Sequence, residues 1–400
     1  MGLFGRQKGV KRFYDYNMVF IIIFLALFGL LMVYSTSAYD ATLKFRTPLR
    51  YVGRQAIIMG VGFVFMIVIS KIDYHWYVRL AWLGYLLALA LMILVNFSPL
   101  GIERNGKKRW LGLKGNESLS FQPTEFVKIA LIVFLAYMIV RYARKIDTWR
   151  LQILLVALCT PIILLVTKNN LSSGIILFAI MGVMIFVASR KKLRFAIVVG
   201  GGLVVAILLV TNIDQLVKLG VLQEYQIGRI RTWQDPMAYY RTTGYQVMQG
   251  LYAIGSGGFF GKGLGASIQK LGFVPEAEND MIFSIICEEL GIFGAVCVIL
   301  MYLFLLWRFM VIANNAPDLM GSMLVVGVMA HIGLQVILNI AVVTNVIPNT
   351  GVTLPFISYG GTSMLFLMAE MGMVLGVSNR IILEAPEKRP AREPREQGEQ

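Results

Sequence analysis

The chain has 400 residues, 57% of them apolar and 15% charged, with a net charge of +15 and a mean hydropathy of +0.70. A soluble domain carries about 45–50% apolar and about 25% charged residues, so the composition excludes a soluble globular protein and leaves a polytopic membrane protein. Cys159, Cys287 and Cys297 stand singly in apolar runs and His75 and His331 lie far apart, so neither a disulfide framework nor a zinc site is indicated.

Apolar runs long enough to cross about 30 Å of hydrocarbon as helix fall at about 17–37, 55–70, 76–97, 124–141, 150–167, 171–189, 193–211, 281–307, 319–343 and 362–379. Ten transmembrane helices in an all-α polytopic fold are therefore expected, because lipid offers an open strand edge no partner. Residues 1–16 precede this membrane domain, 17–380 form it, and 381–400, rich in Pro, Glu and Arg, are expected to be disordered. The first run follows Arg6, Lys8, Lys11 and Arg12 like a signal peptide, but nine more spans follow, so it reads as a retained anchor.

Cations in short loops put both termini on the cytoplasmic side, with Arg141, Arg144, Lys145 and Arg150, then Arg190, Lys191, Lys192 and Arg194, marking inner loops. Many other cations then fall outside, where they read as ordinary solvated charge or as a site for an anionic ligand. Segments 98–123, 212–280 and 344–361 emerge outside as large loops, and each runs directly into a helix whose N-terminus faces outward. Three positive helix ends with free N–H groups are thereby offered to one external site suited to phosphate.

The first of these segments reads Asn105-Gly-Lys-Lys-Arg-Trp-Leu-Gly112 and ends in Phe121-Gln-Pro-Thr-Glu-Phe-Val-Lys128. Pro123 suits a first helical turn, where its missing N–H costs nothing. Glu125 reads as a capping carboxylate, as a ligand contact, or as the partner of Lys128, which lies about one turn into the membrane, where a lone ammonium is expensive. The second segment holds Tyr225, Arg229, Arg231 and the run Gly255-Ser-Gly-Gly-Phe-Phe-Gly-Lys-Gly-Leu-Gly265. Gly261 to Ala266 fits the loose dinucleotide pattern, but no strand precedes it and the match is set aside. These glycines read instead as letting backbone approach a membrane surface or a phosphate.

Asp280 stands at the mouth of the eighth span, after Glu276 and Glu278, and reads as a helix N-cap or as a functional acid. Glu288, Glu289 and Glu370 lie within spans, where charge is costly, and should face the bundle interior as packing partners or along a substrate path. His331, Gln335 and Asn339 form one polar stripe, read as helix–helix hydrogen bonding. The third segment, apolar but broken by Pro348, Gly351 and Pro355, reads as re-entrant backbone covered by protein. Its Gly360-Gly361 precedes the last helix.

At these residues the chain resembles the FtsW/RodA/SpoVE (SEDS) family of shape, elongation, division and sporulation proteins. The resemblance runs from Arg109-Trp110 and Gln122-Pro-Thr-Glu125, through Pro275-Glu276 to Asp280 with Phe283 and Glu288-Glu289-x-Gly291, to Leu354-Pro-Phe-Ile-Ser-Tyr-Gly-Gly361. Gln269-Lys270 with Pro275-Glu-Ala277 is similar to the division branch. Two departures stand out: the family's Gln-Pro-Asp-Leu-Gly-Thr is here Lys168-Asn-Asn-Leu-Ser-Ser173, with no acid at Asn170, and its His-Thr before the aspartate is Glu278-Asn279.

The resemblance implies a peptidoglycan glycosyltransferase of cell division, polymerising lipid II on the outer face of the bacterial cytoplasmic membrane. Its implied partners are a class B penicillin-binding protein and other division proteins, with no nucleic acid. It implies Asp280 as the catalytic residue, the base of an inverting transfer. Substrate-binding candidates are Arg109, Glu125, Lys128, Arg229, Lys270, Glu276, Ser358 and Gly360. No cofactor is fixed by the sequence, and a divalent metal, magnesium or manganese, at the leaving phosphates stays open. Competing readings are a lipid II flippase or transporter, whose inverted repeats are not evident here, a non-enzymatic scaffold, and the elongation or sporulation member of the same family. An external pocket around Asp280 would fit transfer, and a polar path across the midplane would fit transport.

Overall fold

The computed structural model describes residues 13–104, 107–112, 120–195, 197, 200–201 and 224–382. Among them the helices are α1 (Tyr16–Phe45), α2 (Arg50–Lys71), α3 (Tyr74–Arg79), α4 (Ala81–Phe97), α5 (Pro123–Arg141), α6 (Trp149–Asn169) and α7 (Leu171–Ala188), followed by α8 (Glu224–Gln234), α9 (Tyr245–Gly257), α10 (Ile282–Asn314), α11 (Leu319–Val343) and α12 (Thr362–Ser378). Seven of the described helices, α1, α2, α5, α6, α7, α10 and α11, are long and apolar enough to span a membrane, and α4 and α12 are shorter apolar helices of 17 residues. The expected span at 193–211 lies mostly outside the described residues, as do most of 1–16 and of 381–400.

The expected 76–97 span divides in two. Asp73 caps α3 by accepting from the His75 N–H, and the chain leaves helical geometry at Leu80 before α4 begins. An all-helical reading also misses a small antiparallel hairpin, β1 (Gly101–Arg104) and β2 (Lys107–Leu111), which follows α4. The exclusion of strands holds for lipid-facing backbone, and this hairpin lies in a connection between spans. The expected 281–307 span runs longer, to Asn314, and is interrupted at Gly291, whose φ of 67° lies in the left-handed region.

That interruption frees backbone groups that the glycine-rich run satisfies. Ile292 and Phe293 donate to the carbonyls of Gly258 and Phe259 at 3.0 and 3.1 Å, while Lys262 and Gly263 donate to those of Glu288 and Glu289 at 3.0 and 2.9 Å. A Cβ at Gly257 or Gly261 would stand 2.0 Å from the Cys287 carbonyl oxygen or 2.2 Å from that of Glu289. Gly257 and Gly261 thus admit a second backbone, a use not expected from the sequence, while Gly255, Gly258, Gly263 and Gly265 have open space beside them.

In the bundle α2 lies along α12, α10 packs on α9 and α11, and α5 and α7 close around α11. The 344–361 segment is irregular, and only its second half turns inward, with Leu354, Phe356 and Ile357 inside the core. Gly29 on α1 makes room for it, since a Cβ there would stand 2.4 Å from the Phe356 carbonyl oxygen. Tyr302 on α10 donates its hydroxyl to the Pro355 carbonyl. At the opposite end of the bundle Arg308 of α10 pairs with Asp15 at 2.7 Å, joining the start of α1 to the end of α10.

Candidate functional site

Four helix starts surround one cavity of about 620 Å³. Gln122 and Glu125 reach it from α5, Ser172 and Ser173 from α7, Asp280 from the turn before α10, and Thr362 and Ser363 from α12. Three of these ends are the ones expected to converge; the α7 end joins them because α7 packs against both α5 and α11. Asn170 caps α7 with its side-chain oxygen, accepting from Ser173 N at 3.2 Å, and lines the cavity as well.

Asp280 is held by its main chain. The carbonyls of Glu278, Asn279 and Asp280 accept, in order, from Tyr359 N at 2.8 Å, Ser358 Oγ at 2.6 Å and Asn339 Nδ2 at 2.8 Å. The carboxylate does not cap α10, whose N-cap is Met281 without a side-chain bond, and Asp280 Oδ1 is buried without a hydrogen-bond partner among the described residues. Gly351, whose φ of 70° lies in the left-handed region, stands beside it, and a Cβ there would be in ordinary contact with Asp280 Oδ2 at 3.5 Å. Burial first, and then the neighbouring Glu276 charge, push the Asp280 carboxyl up to about 7, with Arg229 opposing.

The sequence candidates separate in space. Arg109, Glu125, Lys128, Arg229, Glu276 and Gly360 line the cavity with Asp280. Arg109 also donates from Nε to the Asn169 carbonyl at 3.0 Å. Glu125 and Lys128 form the expected pair at 2.9 Å with both side chains largely buried. Ser358 is turned to the backbone, accepting from Leu354 N at 2.8 Å while donating to the Asn279 carbonyl. Lys270 lies apart from the cavity lining and pairs at 2.7 Å with Glu289, whose Oε1 also accepts from Ser35. A buried acid nearby in the fold, not spacing along the chain, fixes where that ammonium goes.

The remaining intramembrane acids are also paired. Glu288 binds Lys262 at 2.7 Å and accepts from Ser267, and Glu370 meets His331 at 2.8 Å. Of the α11 stripe only His331 makes the expected helix–helix bond. Gln335 donates to the Thr353 carbonyl at 3.0 Å and Asn339 to that of Val352 at 2.7 Å, so both hold the irregular segment. Gln246 and Tyr359, which stand in segments the sequence marked, also line the cavity, as does Arg54 of α2, which sequence reasoning did not single out. A cation just inside an apolar helix was the one available signal for Arg54. Among the described residues no cluster of three or more His, Cys, Asp or Glu forms a metal-binding group.

The family model described as cell cycle protein, FtsW/RodA/SpoVE, matches residues 16–381. The chain is 36% identical over 370 residues to the stage V sporulation protein E of Bacillus subtilis (strain 168), covering 91% of this chain and 96% of that one. It is 33% identical over 397 residues to the "probable peptidoglycan glycosyltransferase FtsW" of the same organism, covering 97% and 95%. Among solved structures it matches, with a TM-score of 0.74 and 27% identity over 91% of this chain and 97% of the other, a chain from a study of structural coordination of polymerization and crosslinking by a peptidoglycan synthase complex. It shares its fold with the rod shape determining protein RodA of Thermus thermophilus, at a TM-score of 0.62 and 23% identity over 93% and 98% of the two chains. The match spans the cavity and every described helix around it, and this membrane-integral chain belongs to the FtsW/RodA/SpoVE family of cell cycle proteins.

Proposed function

We propose that the chain is a peptidoglycan glycosyltransferase that polymerises lipid II on the outer face of the bacterial cytoplasmic membrane, with Asp280 as its base. One observation carries the reading: a carboxylate with an unpartnered oxygen, fixed through its backbone, faces a cavity that also receives Arg54, Arg109, Lys128 and Arg229. Asp280 accepts the proton of the acceptor's 4-hydroxyl, whose oxygen attacks the anomeric carbon of the donor. The bond from that carbon to the pyrophosphate breaks, its electron pair leaves with undecaprenyl pyrophosphate, and the α-linked donor becomes a β-linkage by single displacement. The leaving group is already anionic, so preorganised cations and helix N–H groups serve it better than an acid. Arg109 and Arg229 line the cavity for this step, whereas Lys270, the third cation expected to serve it, is held by Glu289 away from the lining.

Transport is the less supported reading. The deeper acids Glu288, Glu289 and Glu370 each have a basic partner, and none of them lines the cavity, so no polar path leads on from it through these groups. A class B penicillin-binding protein is the partner we assign, in line with the peptidoglycan synthase complex that supplies a similar chain. Within the family, Gln269-Lys270 and Pro275-Glu-Ala277 favour a division role, whereas the 36% identity to a stage V sporulation protein favours a role in sporulation. The test is polymerisation of purified fluorescent lipid II by the detergent-solubilised chain, with and without its cognate transpeptidase. Glycan strands that disappear in Asp280→Asn support the reading; translocation of lipid II in vesicles without strands sinks it.

A further inference from the structure

Glu276 is the one non-glycine residue of the 275–280 turn held at positive φ, at 56°. Such backbone is strained for a residue with a Cβ and persists where the surroundings impose it. Asn279 imposes it twice, donating from its main-chain N to the Glu276 carbonyl at 3.0 Å and from Nδ2 to the Glu276 carboxylate. The carbonyls of Glu278, Asn279 and Asp280 are tied to Tyr359, Ser358 and Asn339, so the end of the turn is fixed relative to the cavity. Glu276 and Asp280 line that cavity together, and among the described residues Glu276 forms no ion pair.

We infer that Glu276 is a positioning residue for Asp280: a carboxylate locked by Asn279 in the cavity it shares with the base, in no ion pair among the described residues, whose negative charge makes Asp280 a working general base. The inference rests on the reading of Asp280 as that base. A free aspartate, at about 3.9, is ionised but weakly basic at neutral pH, and a fixed like charge strengthens its hold on the incoming proton. The Asp280 carboxyl is raised by burial and next by Glu276, with a smaller contribution from Glu278. Arg229 of α8 acts in the opposite sense. The other charges facing the cavity are the Glu125–Lys128 pair of α5, Arg54 of α2 and Arg109 of the hairpin, while α11 offers the neutral Gln335 and Asn339.

The experiment measures initial rates of lipid II polymerisation against pH for wild type, Glu276→Gln, Glu276→Gly and Asp280→Asn, each assayed with the same transpeptidase. Glu276→Gln keeps an oxygen for Asn279, and Glu276→Gly suits positive φ, so the two variants lose the charge with different effects on the turn. The acid limb is expected to move down by roughly half a pH unit or more in both, with a lower plateau because the base is weaker. Infrared titration of the carboxyl band that Asp280→Asn removes should show the same displacement without turnover. An acid limb and a band that stay in place in both variants, while Asp280→Asn is inactive, overturn the role of Glu276 alone. Full activity of Asp280→Asn overturns the base itself.

Discussion

Asn339 donates its side-chain amide to the main-chain carbonyl of Asp280 at 2.8 Å and to that of Val352 at 2.7 Å. One buried side chain on α11 thereby joins the two irregular segments that border the cavity, and it does so without engaging the Asp280 carboxylate. Asn339→Leu keeps the volume but strands two carbonyls, at a cost of about 1–3 kcal/mol each. We expect a lower melting temperature and a fall in kcat of about tenfold, as for a misplaced reacting group, with KM for lipid II changed much less. An unchanged kcat would mean that Ser358 and Tyr359 suffice to hold the turn.

For Asp280→Asn the expected loss of polymerisation is about 10²–10⁴-fold, the usual contribution of a general base. Stability should move the other way. Because folding raises this carboxyl from 3.8 to about 7, the folded state holds a proton that the unfolded chain has released, and stability present below about pH 4 is lost as pH rises through about 7. Asn has no such proton to lose. Thermal melting should therefore favour the variant at about pH 8 and bring the two proteins together at about pH 4. A variant that melts lower at both values would give Asp280 a structural role.

Glu125 and Lys128 lie three residues apart and are buried together. Removing one partner of such a pair costs about 3–5 kcal/mol because the other charge stays desolvated. Lys128→Ala should reduce folded yield more than Lys128→Ala combined with Glu125→Gln. Equal yields, measured by size-exclusion in detergent, would break the pairing.

Lys270 and Arg54 should behave oppositely. Lys270 is buried against Glu289 on a side of its segment that does not line the cavity, so Lys270→Met should lower yield and leave KM of the folded fraction unchanged. Arg54 lines the cavity from α2, so Arg54→Ala should raise KM severalfold with little change in melting temperature. Steady-state kinetics on monodisperse protein separates the two.

The external site requires a particular orientation. A reporter inserted near Gln234 should label from the extracytoplasmic side and one near Lys191 from the cytoplasm, as the cation bias expects. Reversed labelling would put the cavity on the wrong face for the proposed reaction.

The sequence by itself determined what depends on local chemistry. Apolar runs of spanning length located the described spans, because backbone in lipid must bond to itself. Pro123 marked the start of α5, and the i,i+3 spacing of Glu125 and Lys128 foretold their pair, since a helix brings those positions together. Pro348, Gly351 and Pro355 marked an irregular segment, of which residues 354–358 prove buried. What only the tertiary structure decided is which polar groups meet across the bundle. Glu288 and Glu289 look equivalent in sequence, yet one takes Lys262 and the other Lys270 and Ser35, because α10 breaks at Gly291 and the glycine-rich run closes on it. Lys270 and Arg229 are both cations of one long connection, and only Arg229 reaches the cavity. Asp280 could be read as a cap or as a functional acid until Asn339, Ser358 and Tyr359, 59 to 79 residues away in sequence, fixed the backbone around it and left its carboxylate facing the cavity. Hydrogen bonds of that range carry no periodic signature along the chain, since their partners are chosen by how helices pack and not by the spacing within any one of them.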